Sequence, residues 1–551
     1  MKLFEKHKEK IARAIQALDE RKFWAAYPEH PKAYGEEAPA KGLEAFQSRL
    51  GKPYTSLLQK GPTGWVGEEE SPYWQKKLDI TYPLFSTRKL ISHAEKALES
   101  WRNTDIPTRA AILCEALDRV SLRFFEIAYA TQHTTGQSFM MSFQASGPHA
   151  NDRAMEAIAM GYRELTRYDK LVDWEKPMGK ATLRLSKQFI PVPKGINLVI
   201  GCSTFPTWNT VPGLFAALIT GNVAIVKPHP GAVLPIAIVV EEMQKVLREN
   251  KQNPLAVQLA IDTAENPLAK NLAKSPAISL IDYTGGSAFG TFIENLKGKT
   301  VFTEKAGVNS VILESAHDLR EVMRNIAFSL SLYSGQMCTA PQNIFIPAGG
   351  LKDGDDTITY ETAVELLRNE VASLALDPRM GAGTLGAIQN KRTLDRTKAA
   401  LAADAKIVLP SPEVKNPEFE NARICAPSII ETNSTQADIY SQEWFGPVIV
   451  VVKTRDAAQS LELAVKLAKD KGAITCSLYS TDEAFISTVK NEMNKVFAPV
   501  SINFTGMAFI NQHAAFSDFH VTGGNPAGNA SFTDASFINR RYIWVGNRIL
   551  V

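Results

Sequence analysis

The residues Ser334-Gly335-Gln336-Met337-Cys338-Thr339-Ala340-Pro341 put one of five cysteines in a turn between a predicted amphipathic helix, Val322–Leu332, and a predicted apolar strand, Asn343–Pro347. A thiol on such a turn can face a cleft among backbone N–H groups, conditions that lower its pKa toward the nucleophilic thiolate. The other reading of a lone cysteine is a small buried hydrophobe. Two charged residues stand at the ends of strand-like segments. Lys227 ends the predicted strand Val223–Val226, ahead of Pro228 and His229, at the edge where α/β folds bind ligands. Glu304 closes the segment Thr300–Thr303, just before Gly307. Alone, each reads as an exposed charge before it reads as a catalytic group.

Two glycine patterns have to be told apart. The literal GxGxxG fingerprint occurs once, at Gly381-Ala382-Gly383-Thr384-Leu385-Gly386. It follows a turn signal, Leu376-Asp377-Pro378-Arg379, where a strand is required, so it reads as a loop and helix start. Thr284-Gly285-Gly286-Ser287-Ala288-Phe289-Gly290 departs from the fingerprint at Ser287, yet it follows a predicted strand, Ile278–Tyr283, and opens a helix. Ser287 is expected to cap that helix, whose N–H groups and dipole favour phosphate. A P-loop is excluded nearby, because Gly298-Lys299-Thr300 would need glycine where Ile293 stands.

These residues need a scaffold, and the chain is long enough to supply one. At 551 residues it exceeds the size of one growing core, so two or three domains are expected. With 45% apolar and 22% charged residues and a net charge of +3, it belongs to the ordinary soluble globular class. No basic run with interleaved aromatics occurs, which argues against nucleic acid. Cys114, Cys202, Cys338, Cys425 and Cys476 form no CxxC pair; no metal site or disulfide framework is read, and a reducing, cytoplasmic setting is expected. The first 23 residues are too charged for a signal peptide. The apolar stretch Val211–Val226 is broken by Pro212, Gly213, Gly221 and Asn222 and reads as helix, turn and strand, not a membrane span.

Residues 1–80 read as an extension: a helix, then a Pro-, Gly- and Glu-rich segment anchored by Trp24, Tyr54, Trp65 and Trp74. Helical spacing runs from Arg88 to Tyr168, and an alternating strand pair falls at Ala181–Pro193. Then β and α alternate: strands at Ile196–Ile200, Val223–Val226, Ala256–Ile261 and Ile278–Tyr283, helices at Thr210–Ile219, Val233–Glu249, Asn266–Lys274 and Ser287–Leu296. This alternation argues for a parallel sheet covered by helices. A second α/β run follows to about Pro499, with strands at Val311–Leu313, Ile344–Ile346, Ile429–Glu431, Val448–Val452 and Ala473–Ser477. The apolar tail, Tyr542–Val551, is expected to pair with the Ala181 segment or a second subunit.

In this order and spacing, six segments resemble the aldehyde dehydrogenase superfamily over roughly residues 85–551: Ile200-Gly201-Cys202-Ser203-Thr204-Phe205-Pro206, Val226-Lys227-Pro228, Thr284 to Gly290, Glu304-Lys305-Ala306-Gly307, Gly335-Gln336-Met337-Cys338 and Glu443-Trp444-Phe445-Gly446-Pro447. The N-terminal extension and the context of Cys338 further resemble the phenylacetic-acid-degradation branch. The resemblance implies an α/β fold with a Rossmann-like cofactor domain (81–175 and 194–306), an α/β catalytic domain (307–515) and oligomerisation strands (176–193 and 516–551) in a homodimer or homotetramer. It implies NAD(P)-dependent oxidation of a small aldehyde to an acid, possible substrates including a semialdehyde of aromatic catabolism. Cys338 would be the nucleophile and Glu304 the general base. Ile200, Ser203, Lys227, His229, Thr284, Gly285, Gly286, Phe289 and Gly290 would line the dinucleotide, with Glu443 on the nicotinamide ribose and Phe445 against the ring.

Two positions depart from the family. Thr204 stands where an oxyanion-binding Asn is usual, with Asn209 a candidate substitute. Pro230 stands where a ribose-binding Glu is frequent; without that carboxylate, Lys227 with His229 could pair with a 2′-phosphate, so NADP is expected over NAD. Two alternatives stand beside hydrolytic oxidation: a CoA-acylating dehydrogenase and a dinucleotide-binding scaffold without turnover.

Overall fold

Runs such as Ile196-Asn-Leu-Val-Ile200 and Val223-Ala-Ile-Val-Lys227 are buried at every position. Strands covered on both faces belong in a parallel sheet under helices. The computed structural model describes residues 2–517 and 523–551; part of the expected oligomerisation segment, residues 518–522, lies outside the described residues. A five-stranded parallel sheet has the order Thr300–Lys305, Ile278–Gly285, Ile196–Ile200, Val223–Lys227, Val257–Leu259. Its register sets Ile200 beside Lys227 and Tyr283, and Thr284 beside Glu304. Four neighbouring strands therefore deliver their C-terminal residues to one edge.

A second sheet has seven strands: Lys406–Leu409, Ser428–Asn433, Val448–Thr454, Asn343–Pro347, Ser310–Leu313, Cys476–Tyr479 and Val500–Ile502. Only the first pairs antiparallel. The strand expected at Ala473–Ser477 begins at Cys476, because Ile474 and Thr475 turn their N–H groups to the Asn309 side chain instead of a ladder.

The Ala181–Pro193 segment is one long strand, not a pair. It runs antiparallel to Leu171–Met178 on one side and to Tyr542–Leu550 on the other. Thus the tail pairs within its own chain. The joint is anchored beneath the first sheet: Arg541, wholly buried, donates to both oxygens of Asp282 at 2.6 and 2.8 Å. Asn197 also donates to Asp282, at 2.8 Å.

The N-terminal extension drapes over the first sheet's helices, as its aromatics suggest. Helix Lys2–Glu20 packs on Ile106–Ser121 and Pro148–Thr166. Tyr54 is buried and donates to Glu241, and Trp74 lies 3.8 Å from the His133 ring. Trp65 is more open, 42% exposed, in a short strand paired with Tyr82–Leu84. Among the described residues, no helix is long and apolar enough to cross a membrane.

Candidate active site

Helix Leu319–Ser331 ends in a turn that the sequence does not advertise. Tyr333, Ser334 and Gly335 take left-handed backbone with φ of 52, 49 and 64°. Two consecutive non-glycine residues in that region cost energy and persist only where the surroundings over-determine them. They do here. The Tyr333 hydroxyl donates to Thr135 O at 2.6 Å, and Ser334 Oγ reaches Leu385 O and Cys425 O at 3.0 and 2.9 Å. Gly335 is obligatory, since a Cβ there would sit 2.4 Å from Gly446 O. The helix Gly381–Leu385, which carries the literal glycine fingerprint, follows a helix, not a strand; it braces this turn through Leu385.

The turn hands Cys338 to the end of the Glu304 strand, where the thiol is hydrogen-bonded to the Glu304 carboxylate. Burial and that neighbouring anion push the thiol pKa well above its ordinary value. Against the expectation that the turn lowers the thiol pKa, burial and Glu304 act in the opposite direction and favour the protonated sulfur. The backbone N–H of Cys338 favours the ionised form, but less strongly. Asn309 clamps the loop from below, donating to Cys338 O at 2.8 Å and Ala340 O at 2.9 Å while accepting from Ile474 and Thr475.

Glu304 is itself held in place. It is 3% exposed, and Asn209 Nδ2 donates to its Oε2 at 3.1 Å. A segment near the C-terminus borders its strand: Lys305 N–H donates to Ala527 O at 2.7 Å, and Thr303 N–H to Asn529 Oδ1 at 2.9 Å. Asn209, the candidate substitute for the oxyanion Asn, spends one of its two amide N–H groups on Glu304, and its Oδ1 faces Cys202 Sγ at 3.5 Å. Thr204 turns its hydroxyl to Cys202.

The remaining expected residues divide by position. One cavity is lined by Ile200, Asn209, Thr284 and Glu304. A second is lined by Cys338, Glu443 and Phe445. The Cys338–Glu304 contact joins them. Burial raises the Glu443 pKa to about 7, against a smaller opposing effect of Arg396. Ser203 is partly buried in the loop after Ile200. Phe289 packs at a tilt against the Tyr283 and Phe292 rings.

Four details of the glycine turn and the lysine edge differ from expectation. Gly286, not Ser287, is the N-cap of helix Ser287–Glu294, because the strand runs on to Gly285. Open space lies where a Gly286 Cβ would be, whereas one on Gly285 would come 2.6 Å from the Tyr283 hydroxyl. The missing Cβ of Gly290 lets the helix close on Lys305 and Tyr283. Lys227 is paired: its Nζ lies 2.7 Å from Asp262 Oδ1. His229 is no cation, because burial and the nearby Lys227 and Arg392 charges hold its pKa near 4, and its Nδ1 accepts from Gly231 N–H at 3.1 Å.

Comparison with known proteins agrees with this geometry. The profile of the aldehyde dehydrogenase family matches residues 86–529. A crystal structure of an NAD-dependent aldehyde dehydrogenase from Burkholderia multivorans superposes with a TM-score of 0.97 at 44% identity, over 100% of this chain and 99% of that one. The 1-pyrroline-5-carboxylate dehydrogenase from Thermus with bound NAD has the same fold, with a TM-score of 0.75 at 18% identity over 96% and 99% of the two chains. The α-ketoglutaric semialdehyde dehydrogenase of Bacillus subtilis (strain 168) is 22% identical over 71% of this chain and 76% of its own. With a thiol, a carboxylate and a glycine turn gathered at one sheet edge, and a family profile covering most of its length, this chain belongs to the aldehyde dehydrogenase family and is an oxidoreductase.

Proposed function

We propose that the protein oxidises a small aldehyde to its carboxylic acid with NAD, through a thioester on Cys338. The observation that carries this reading is the hydrogen bond between Cys338 and Glu304 at the junction of the two cavities. The residues fit a dinucleotide. A buried ammonium, Lys227, ends one strand, and open space at Gly286 fronts a helix N-terminus suited to phosphate. Glu443 and Phe445 would hold the nicotinamide end. The bound nicotinamide supplies the hydride acceptor.

The chain's own residues do the rest. The Cys338 thiol gives up its proton to solvent as sulfur attacks the carbonyl carbon, giving a thiohemiacetal whose oxyanion meets backbone N–H groups such as that of Cys338. Loss of hydride leaves the thioester. Glu304 then draws a proton from water, which attacks the thioester carbonyl; the acid departs and the sulfur is regenerated. Asn209 keeps the carboxylate turned toward the sulfur throughout. A water-activating base favours hydrolysis over release to CoA.

The absent carboxylate at Pro230 argues for NADP, yet Asp262 brings a carboxylate to Lys227 from another loop. That anion would repel a 2′-phosphate, which supports NAD. The substrate reading, a semialdehyde of phenylacetate or related aromatic catabolism, rests on the extension and the Cys338 context. Cysteines that form no disulfide among the described residues suit the cytoplasm, and the exposed apolar strand Tyr542–Leu550 suits a homo-oligomer.

The test is a rapid-mixing burst of reduced cofactor. Wild type should show it, Cys338→Ala should not, and Glu304→Gln should keep the burst and lose steady turnover. A burst that survives in Cys338→Ala removes the nucleophile and the proposal.

A further inference from the structure

The N-terminal segment reaches the cofactor edge without lining either cavity. Gln59, 5% exposed, grips the sheet's outermost strand at Leu259: its Oε1 accepts from Leu259 N–H at 2.7 Å and its Nε2 donates to Leu259 O at 3.1 Å. Glu68 accepts from Ala264 N–H at 2.9 Å, in the loop that carries Asp262. Glu69, 2% exposed, accepts from Val233 N–H at 2.6 Å and Leu234 N–H at 2.8 Å. Those groups open the helix Leu234–Glu249, whose own N-cap residue, Val233, provides no side-chain cap. The Tyr82 hydroxyl holds the other Glu69 oxygen at 2.5 Å. A helix start needs an acceptor for its orphan N–H groups, and here it is borrowed from more than 160 residues away.

We infer that residues 59–69 are a positioning clamp for the adenosine end of the bound dinucleotide, fixing the 229–233 turn and the 260–264 loop on either side of the Lys227–Asp262 pair. This rests on the reading that Lys227 and Asp262 receive the adenosine ribose. Gln59 sets the height of the outer strand, Glu68 ties down the loop beyond it, and Glu69 holds the turn after Lys227. Asp262 completes the lattice, its second oxygen accepting from Leu268 N–H at 2.8 Å. Without the clamp, both flanks of the ammonium lose an anchor, so the adenosine end should bind more weakly while the chemistry at Cys338 is unaffected.

The test titrates AMP and NAD separately into the full-length protein by calorimetry, for wild type, Glu69→Ala, Glu68→Ala, Lys227→Ala and, as a distant control, Lys6→Ala, whose partner is Glu115. Both Glu variants should raise the Kd for AMP by roughly three- to tenfold, the range expected for loss of a helix cap or loop anchor. Their kcat at saturating NAD should hold, and Lys6→Ala should leave AMP binding unchanged. A merely structural role would lower the melting temperature with AMP affinity intact, and that result overturns the clamp. Should Glu69→Ala fail to fold, Glu68→Ala decides, since it removes a single surface contact. If Lys227→Ala weakens AMP and neither Glu variant does, the clamp alone falls; if Lys227→Ala leaves AMP unaffected, the adenosine-seat reading falls and the clamp with it.

Discussion

Replacing Glu304 by Gln should make Cys338 more reactive toward alkylation, although it stops turnover. The carboxylate is hydrogen-bonded to the thiol, and with burial it holds the sulfur protonated. A unit charge about 4 Å away in an effective dielectric of about 20 is worth roughly 4 kcal/mol. Even a third of that, once solvent and salt have screened it, corresponds to about a tenfold larger thiolate fraction at fixed pH. The substituted amide keeps the shape and the Asn209 contact while removing the charge. The assay is the second-order rate of iodoacetamide modification across a pH series, with the labelled peptide identified by mass spectrometry to separate Cys338 from the other four thiols. The profile should move to lower pH, and the rate near neutrality should rise about tenfold. An unchanged or slower rate would refute the reasoning, because it would mean that Glu304 does not set the protonation of this sulfur.

Other outcomes follow from the same geometry. Gly335→Ala should abolish the burst, because φ is +64° and the added carbon would meet Gly446 O at 2.4 Å; a normal burst would mean the turn can relax. Arg541→Leu strands Asp282 in the interior and should cost about 3–5 kcal/mol in denaturant unfolding; a loss well under 1 kcal/mol would show that water reaches the site. Glu443, raised by burial from 4.5 to about 7, is protonated below that value. If its carboxylate accepts from the ribose, NAD affinity should fall as the pH drops below about 7 and level off above it. In the free protein the sign reverses: a folded-state value above the unfolded one makes stability decline as pH climbs between the two. Calorimetry on wild type and Glu443→Gln checks both, and the variant should be flat. Asp262→Asn should improve NADP relative to NAD by about tenfold or more, since it removes an anion beside Lys227; an unchanged ratio of Kd values would refute that assignment.

Much of this site can be read in the linear chain because burial writes it there. Strands Ile196–Ile200 and Val223–Lys227 are apolar on both faces, so their ends, and with them Lys227, are legible to within one residue. Glu304 and Cys338 end or follow such elements. What stays hidden depends on distant partners. Tyr333 and Ser334 are ordinary helix or strand residues whose left-handed backbone is imposed by carbonyls of Thr135, Leu385 and Cys425. Asp262 sits in an irregular loop whose relation to Lys227 emerges only when the strands align. Glu69 caps a helix that begins far along the chain, beyond the reach of any local capping pattern. Placing the cap at Ser287 is a one-residue error that follows from ending the strand too early.

The Arg541–Asp282 ion pair also bears on biosynthesis. Its partners are 259 positions apart, so at roughly 5–20 residues per second the ribosome needs about ten to fifty seconds to deliver the cation after the anion has emerged. During that interval the nascent five-stranded sheet carries a carboxylate whose counter-ion has yet to be made. Its final closure therefore waits on residues synthesised 259 positions later, which lock a part of the sheet made long before.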